Sequence, residues 1–256
     1  MGIDNRFSTY SLTEVGNDVA LRSLPVITGK WYHVNPNKTL NANTNPNPGA
    51  DNNDGLTRET AMAHINTAYT AIYTGSGDGI ILYSQGTSTA NTTSYLGSTI
   101  TWSKHGITVF GVCAPTKFSQ RARISNSAET LATLITVTGN NNSFYNVQMI
   151  NTGTTGTGCL SVTGDRNYFN NVHCMGGVGV TSAGITDMDL SLGGDENTFV
   201  GCTFGSDTFD KEDNAGFVMQ FASGGAAARN RFSDCEFHQQ RSAGTTAGAI
   251  NCANGS

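Results

Sequence analysis

Three carboxylates sit where they could share a proton. Asp165 stands two residues before Asn167, and Asp195, followed by Glu196, stands two residues before Asn197. If those two stretches lie one above the other, Asp165 and Asp195 become neighbours. Like charges held close raise one of the two pKa values and create an acid/base pair. Glycoside hydrolysis asks for such a pair, with carboxyl groups about 5–9.5 Å apart. The more ordinary reading is turn chemistry, because Gly-Asp at a corner is common. A second cluster, Asp207, Asp210, Lys211, Glu212 and Asp213, offers oxygens to a cation such as Ca²⁺. Its spacing matches no EF-hand loop, and a solvated acidic loop is the simpler description. A third group, Arg229, Arg231, Glu236 and His238, could contact a sugar or a neighbouring subunit from an exposed face. No Ser/His/Asp arrangement, phosphate loop or dinucleotide fingerprint occurs, and no cofactor is expected.

These residues share a frame. The phrases "NSFYNV" from Asn142, "NYFNNV" from Asn167, "NTFVGC" from Asn197 and "NRFSDC" from Asn230 repeat one pattern at intervals of 25, 30 and 33 residues. Upstream of each, apolar residues alternate: Ile135 and Val137, Leu160 and Val162, Leu190 and Leu192, Met219 and Phe221. Downstream come Val147 and Met149, Val172 and Cys174, Cys202 and Phe204, Cys235 and Phe237. Period two on both sides of a Gly/Asn/Asp turn means two short strands per unit. Neither strand buries its inward face alone, so the units must stack as a solenoid. The expected fold is all-β, a single-stranded right-handed parallel β-helix. Asn142, Asn167, Asn197 and Asn230 should form a ladder at one corner, and Phe144, Phe169, Phe199 and Phe232 a stack inside. On this pattern Glu236 and His238 face outward, while Cys174, Cys202 and Cys235 fill the core. Differences in coil length are assigned to loops such as "GVTSAGITD" and "GSDTFDKEDNAG".

Residues 31–83 read as a cap: a strand at "WYHVNP", a turn-rich loop, a short helix with Ala61, Ile65, Ala68 and Ile72 on one face, then the strand "GDGIILY". The coils occupy 84–256. Ile250 and Cys252 begin a further coil, so the natural chain is expected to continue or to be covered there.

Trp31, Tyr32, Val34, Pro36, Asp51, Asn53, Gly55, Leu56, Glu59, Ala61, Ile65, Ala68, Gly77, Asp78 and Ile80 resemble the N-terminal signature of the pectin lyase-like superfamily of right-handed parallel β-helices. Met62 departs from it where an aromatic is common, as does a longer Asn/Pro loop at 41–50. The resemblance implies the architecture. It does not fix an activity, because this scaffold carries lyases, hydrolases, epimerases and non-catalytic virion spikes.

Composition narrows the role. Only 13% of residues are charged and the net charge is −5, which leaves no basic stripe for nucleic acid. No apolar run suits membrane insertion, and the N-terminus lacks a signal peptide's basic start and apolar block. A charge-poor, Asn/Thr/Ser/Gly-rich β-helix suits an exposed protein, yet export is not signalled. Both features fit a bacteriophage tailspike, fibre or head decoration protein, assembled in the host cytoplasm and released by lysis. On this reading residues 1–30 dock on other virion proteins, the chain forms a homotrimer, and the β-helix recognises host-surface polysaccharide. The alternative is a polysaccharide lyase or glycoside hydrolase.

Overall fold

The computed structural model describes residues 27–36, 49–84, 93–126, 131–153, 158–176, 188–211, 218–221, 227–241 and 250–252. Among them, every strand pairs in parallel with the strand one coil away. The first sheet stacks Trp31–Val34, Gly79–Tyr83, Thr108–Val112, Ser143–Tyr145, Tyr168–Asn170, Thr198–Val200 and Arg231–Ser233. The second stacks Thr93–Leu96, Arg123–Asn126, Gln148–Ile150, His173–Met175, Thr203–Lys211 and Glu236–Arg241. The third stacks Ile100–Trp102, Thr133–Val137, Gly158–Val162, Met188–Leu192, Met219–Phe221 and Ile250–Cys252. Each coil visits the third, first and second sheets in turn, a right-handed parallel β-helix as the handedness of parallel crossovers requires.

The register follows the apolar alternation. Ile135, Leu160, Leu190, Met219 and Ile250 lie in one vertical column, and Val137, Val162, Leu192, Phe221 and Cys252 in the next. Phe144, Phe169, Phe199 and Phe232 stack with centroids 5.1, 4.7 and 4.7 Å apart and nearly parallel rings. Trp102, fully buried, closes the lower end of that stack against Phe144.

The cap differs in detail from the sequence reading. The helix is only Ile65–Ala71, because Met62 pairs with Val34 in an isolated parallel bridge and the Asp51 carboxylate accepts the Ala63 and His64 amides. Its inward residues Ile65, Ala68 and Ile72 are buried, and Lys104 Nζ caps its C-terminal end by donating to the carbonyls of Tyr69, Thr70 and Ile72. The acidic stretch expected as a loop is strand as far as Lys211, which pairs with Arg241 across a register shift. Of the proposed arm at 1–30, residues 1–26 lie outside the described residues.

Candidate functional site

The corner between the third and first sheets carries two ladders. On its inner side Asn142, Asn167 and Asn197 each donate their backbone N–H to the side-chain Oδ1 of the asparagine one coil on, at 2.9, 2.8 and 2.8 Å. The side-chain amides of Asn142, Asn197 and Asn230 reach back to carbonyls of the preceding coil. The backbones approach so closely here that a Cβ on Gly139, Gly164 or Gly194 would overlap the carbonyl oxygen of the coil below.

On the outer side of the same corner the acceptors are mixed. His105 Nδ1 takes the Asn140 N–H, Asn140 Oδ1 the Asp165 N–H, Asp165 Oδ1 the Asp195 N–H, and Asp195 Oδ1 the Ala228 N–H, all at 2.8–2.9 Å. Asp165 and Asp195 are therefore stacked as expected, but each carboxylate is committed to holding the next coil. Glu196 is clamped too: Arg166 Nε is 2.5 Å from one oxygen and Arg229 Nη2 2.8 Å from the other, with Asp195 a further 3.8 Å partner of Arg229. The hydrogen bond from Arg229, helped by the charge of Arg166, lowers the Glu196 pKa. All three carboxylates thus help to hold this corner together.

The outer face of the first sheet gathers aromatics. Phe110, Tyr145 and Asn170 follow one another up one column, while Ser143, Tyr168, Thr198 and Arg231 form the column beside it. Tyr145 and Tyr168 are half-buried with ring centroids 5.6 Å apart, and Phe110 lies 6.4 Å below Tyr145. Asn170 Nδ2 donates to the Tyr168 hydroxyl at 3.1 Å. Burial raises the Tyr145 pKa, so its hydroxyl stays protonated. Arg231 is exposed at the top of this row, separate from Arg229 and its carboxylates.

The outer face of the second sheet carries the rest. Arg123, Gln148, His173, Thr203 and Glu236 occupy successive rungs of one column. Residues 113–122 cross this face. Lys117 Nζ bonds the Glu236 carboxylate at 2.7 Å, and His238 Nε2 lies 3.1 Å from the other Glu236 oxygen. Both partners lower the Glu236 pKa, Lys117 more than His238. Phe118 packs edge-on against His173 and His238 at 5.7 and 4.8 Å. The sequence reading grouped Arg229 and Arg231 with Glu236 and His238. The structure parts them, with Glu236 and His238 on the second sheet and the arginines at and beyond the opposite corner. It also supplies Lys117, more than a hundred residues away in sequence. One signal pointed there: between the first and second sheets the later coils use two residues, such as 146–147 and 171–172, whereas this coil uses 113–122.

Asp207 and Asp210 lie in the strand Thr203–Lys211, their side chains outside the described residues, as is all of Asp213. Among the described residues no group of three or more His, Cys, Asp or Glu is placed to hold a metal. The stacked thiols of the core are not equivalent. Burial drives the Cys202 pKa up, while a hydrogen bond from Cys202 brings that of half-buried Cys235 down to about 7.

The fold defines the class: a right-handed parallel β-helix. Among solved structures the chain is similar to a pectate lyase, Pel9A, with a TM-score of 0.53 at 20% identity over 82% of this chain and 48% of that one. It is also similar to a rhamnogalacturonan lyase, with a TM-score of 0.47 at 18% identity over 81% of this chain and 51% of that one. The chain thus spans about half the length of each. No family model matches it, and no curated protein matches it.

Proposed function

We propose that the protein binds an extended polysaccharide along the outer face of the first sheet. The observation that carries this reading is the row of Tyr145 and Tyr168 on adjacent rungs, flanked by Asn170, Thr198 and Arg231. A tyrosine ring offers an apolar face to the C–H face of a sugar and a hydroxyl at its tip. Rungs recur every ~4.8 Å, a repeat close to one residue of an extended glycan. The likeness to a pectate lyase supports this at the level of the scaffold. In the Y145A/Y168A double variant, binding to the recognised glycan should weaken by tenfold or more with thermal stability little changed. Unaltered affinity would remove the row from the site.

A second reading, depolymerase activity, is favoured by Lys117, Glu236 and His238. The carboxylate orients the imidazole through Nε2, which makes Nδ1 the basic atom of the ring. Incubation with capsule or lipopolysaccharide should then yield shortened chains in wild type and none in H238Q. Intact chains in wild type would retire this reading. The binding surface is further proposed to sit on a bacteriophage appendage, a homotrimer docked through residues 1–30. Deleting those residues should abolish incorporation into particles and leave glycan binding intact.

A further inference from the structure

We propose that Cys235 and Cys202 form a peroxide-responsive thiol pair: half-buried Cys235 is oxidised first, and buried Cys202 then closes a disulfide onto it, locking one coil to the coil beneath. The two stand on successive rungs of one column, next to the paired residues Thr203 and Glu236, and the Glu236 N–H donates to the Cys202 carbonyl at 2.9 Å. Their thiols are turned alike. Cys202 Sγ lies 3.4 Å from the Phe169 carbonyl and 3.6 Å from that of Val200, and Cys235 Sγ lies 3.5 Å from the carbonyls of Phe199 and Ser233. Phe169 and Phe199 are one rung apart, as are Val200 and Ser233, so the second set of contacts repeats the first one coil higher. A hydrogen bond joins the two thiols.

The spacing suits a cross-link. Rungs of a parallel sheet are about 4.7–4.9 Å apart, within the range of about 4.4–6.8 Å that disulfides allow between Cα atoms. Bonded Cβ atoms sit about 0.3–1 Å closer than the rung spacing, so the upper rung must settle toward the lower one. It is free to do so because Glu236–Arg241 is the end strand of its sheet.

The two cysteines divide the work. Cys202 is fully buried, and half-buried Cys235 is the member that a dissolved oxidant reaches. The hydrogen bond from Cys202, helped by the charge of Lys117, lowers the Cys235 pKa against the effect of burial, whereas burial raises that of Cys202. The thiolate is the reactive form, so access and charge both select Cys235.

One molecule of hydrogen peroxide balances the step. The Cys235 thiolate attacks one oxygen, the O–O bond breaks, and the departing hydroxide takes the proton that Cys235 gave up and leaves as water. Cys235 is then a sulfenic acid. The Cys202 sulfur attacks the Cys235 sulfur, the S–S bond forms, the S–O bond breaks, and the hydroxide released takes the Cys202 proton as a second water. Two electrons pass from the sulfurs to the peroxide. The bond closes the stretch from 202 to 235 into a ring, so the coil that carries Asn230 and Phe232 no longer peels away from Asn197 and Phe199 beneath it.

The fully reduced whole chain, treated with equimolar hydrogen peroxide and then unfolded without reductant, tests this. Titratable thiols should fall from six to four, the intact mass should drop by two hydrogens, and the peptide map should join Cys202 to Cys235. Dithiothreitol should reverse all three changes. In C202S, dimedone should label Cys235 and no disulfide should form. In C235S, the five remaining thiols should survive the same dose. Six thiols after treatment of wild type, a disulfide between any other pair, or dimedone-labelled Cys235 without a disulfide would overturn the proposal, as would a loss of thiols in C235S equal to that in wild type. Should either variant fail to fold, the wild-type peptide map decides by the same outcomes. No glycan enters the measurement, so its result is independent of the binding face on the first sheet.

Discussion

The two sides of one corner perform the same task with different residues. Inside, four backbone N–H groups are caught by Oδ1 of Asn142, Asn167, Asn197 and Asn230. Outside, four are caught by an imidazole, an amide and two carboxylates. Asn142 and Asn197 are fully buried, so each position needs an acceptor for one neighbour and a donor for another, and it cannot bear a charge without heavy desolvation. Asparagine meets all three demands. The outer positions are wetter, and there any acceptor serves. Residue identity is thus informative where water is excluded and permissive where it is not. Asp165 and Asp195 stand at such outer positions, where an acid serves as the acceptor for the next coil.

The deepest part of the inner side should be the most costly to disturb. Phe199, two residues after Asn197, lies between Phe169 and Phe232 and is fully buried. Replacing it with alanine should lower stability by about 3–5 kcal/mol in urea titrations. Phe232, half-buried at the top of the stack, should cost distinctly less. Asn197→Asp comes next. The isosteric acid loses the donor to the Gly164 carbonyl and must be either charged or protonated in a dry site, a loss of about 3 kcal/mol. A change below 0.5 kcal/mol would show that the inner ladder is as tolerant as the outer one.

The cap extends the contrast to pH. His33 is largely buried, with Nδ1 2.8 Å from the Tyr83 hydroxyl, and burial lowers its pKa to about 4. Between about 6.5 and that value the unfolded chain takes up a proton that the folded chain refuses. Stability is therefore present above about pH 6.5 and falls as the pH drops toward 4, by up to about 3 kcal/mol. Thermal melts across this range should show the slope in wild type and a flatter profile in H33Q. The smallest effect belongs to the outer ladder. Asp195→Asn keeps the acceptor for Ala228 and should change stability by less than about 0.5 kcal/mol, with any depolymerising activity unaltered. A large loss of that activity would return Asp195 to the active site.

Much of this was legible in the chain. The Asn-x-Phe phrase marks a corner because the buried amide and the ring are both indispensable there, and the alternation around it fixed the register of the strands on either side. The second tight corner was less visible. Asn146, Asn171, Gly201 and Asp234 all take positive φ there, but Asn, Gly and Asp reach that conformation by different routes and so do not read as one repeated letter. The grouping of Arg229 and Arg231 with Glu236 and His238 failed for a related reason. Nearness along the sequence says little across a bend, and a coil turns away between Asn230 and Glu236.

By itself the sequence determined the coil: where each rung turns, which side chains face inward, and which residues stack. Those properties are set by local periodicity and by the cost of burying an unpaired polar group, and both are written within a few residues. Only the tertiary structure decided what lies on the outside. Residues 113–122 meet Asn171, His173, Thr203 and Glu236 because stacking brings distant coils within a few ångströms, and an exposed face imposes no repeating demand that would announce such a meeting in advance.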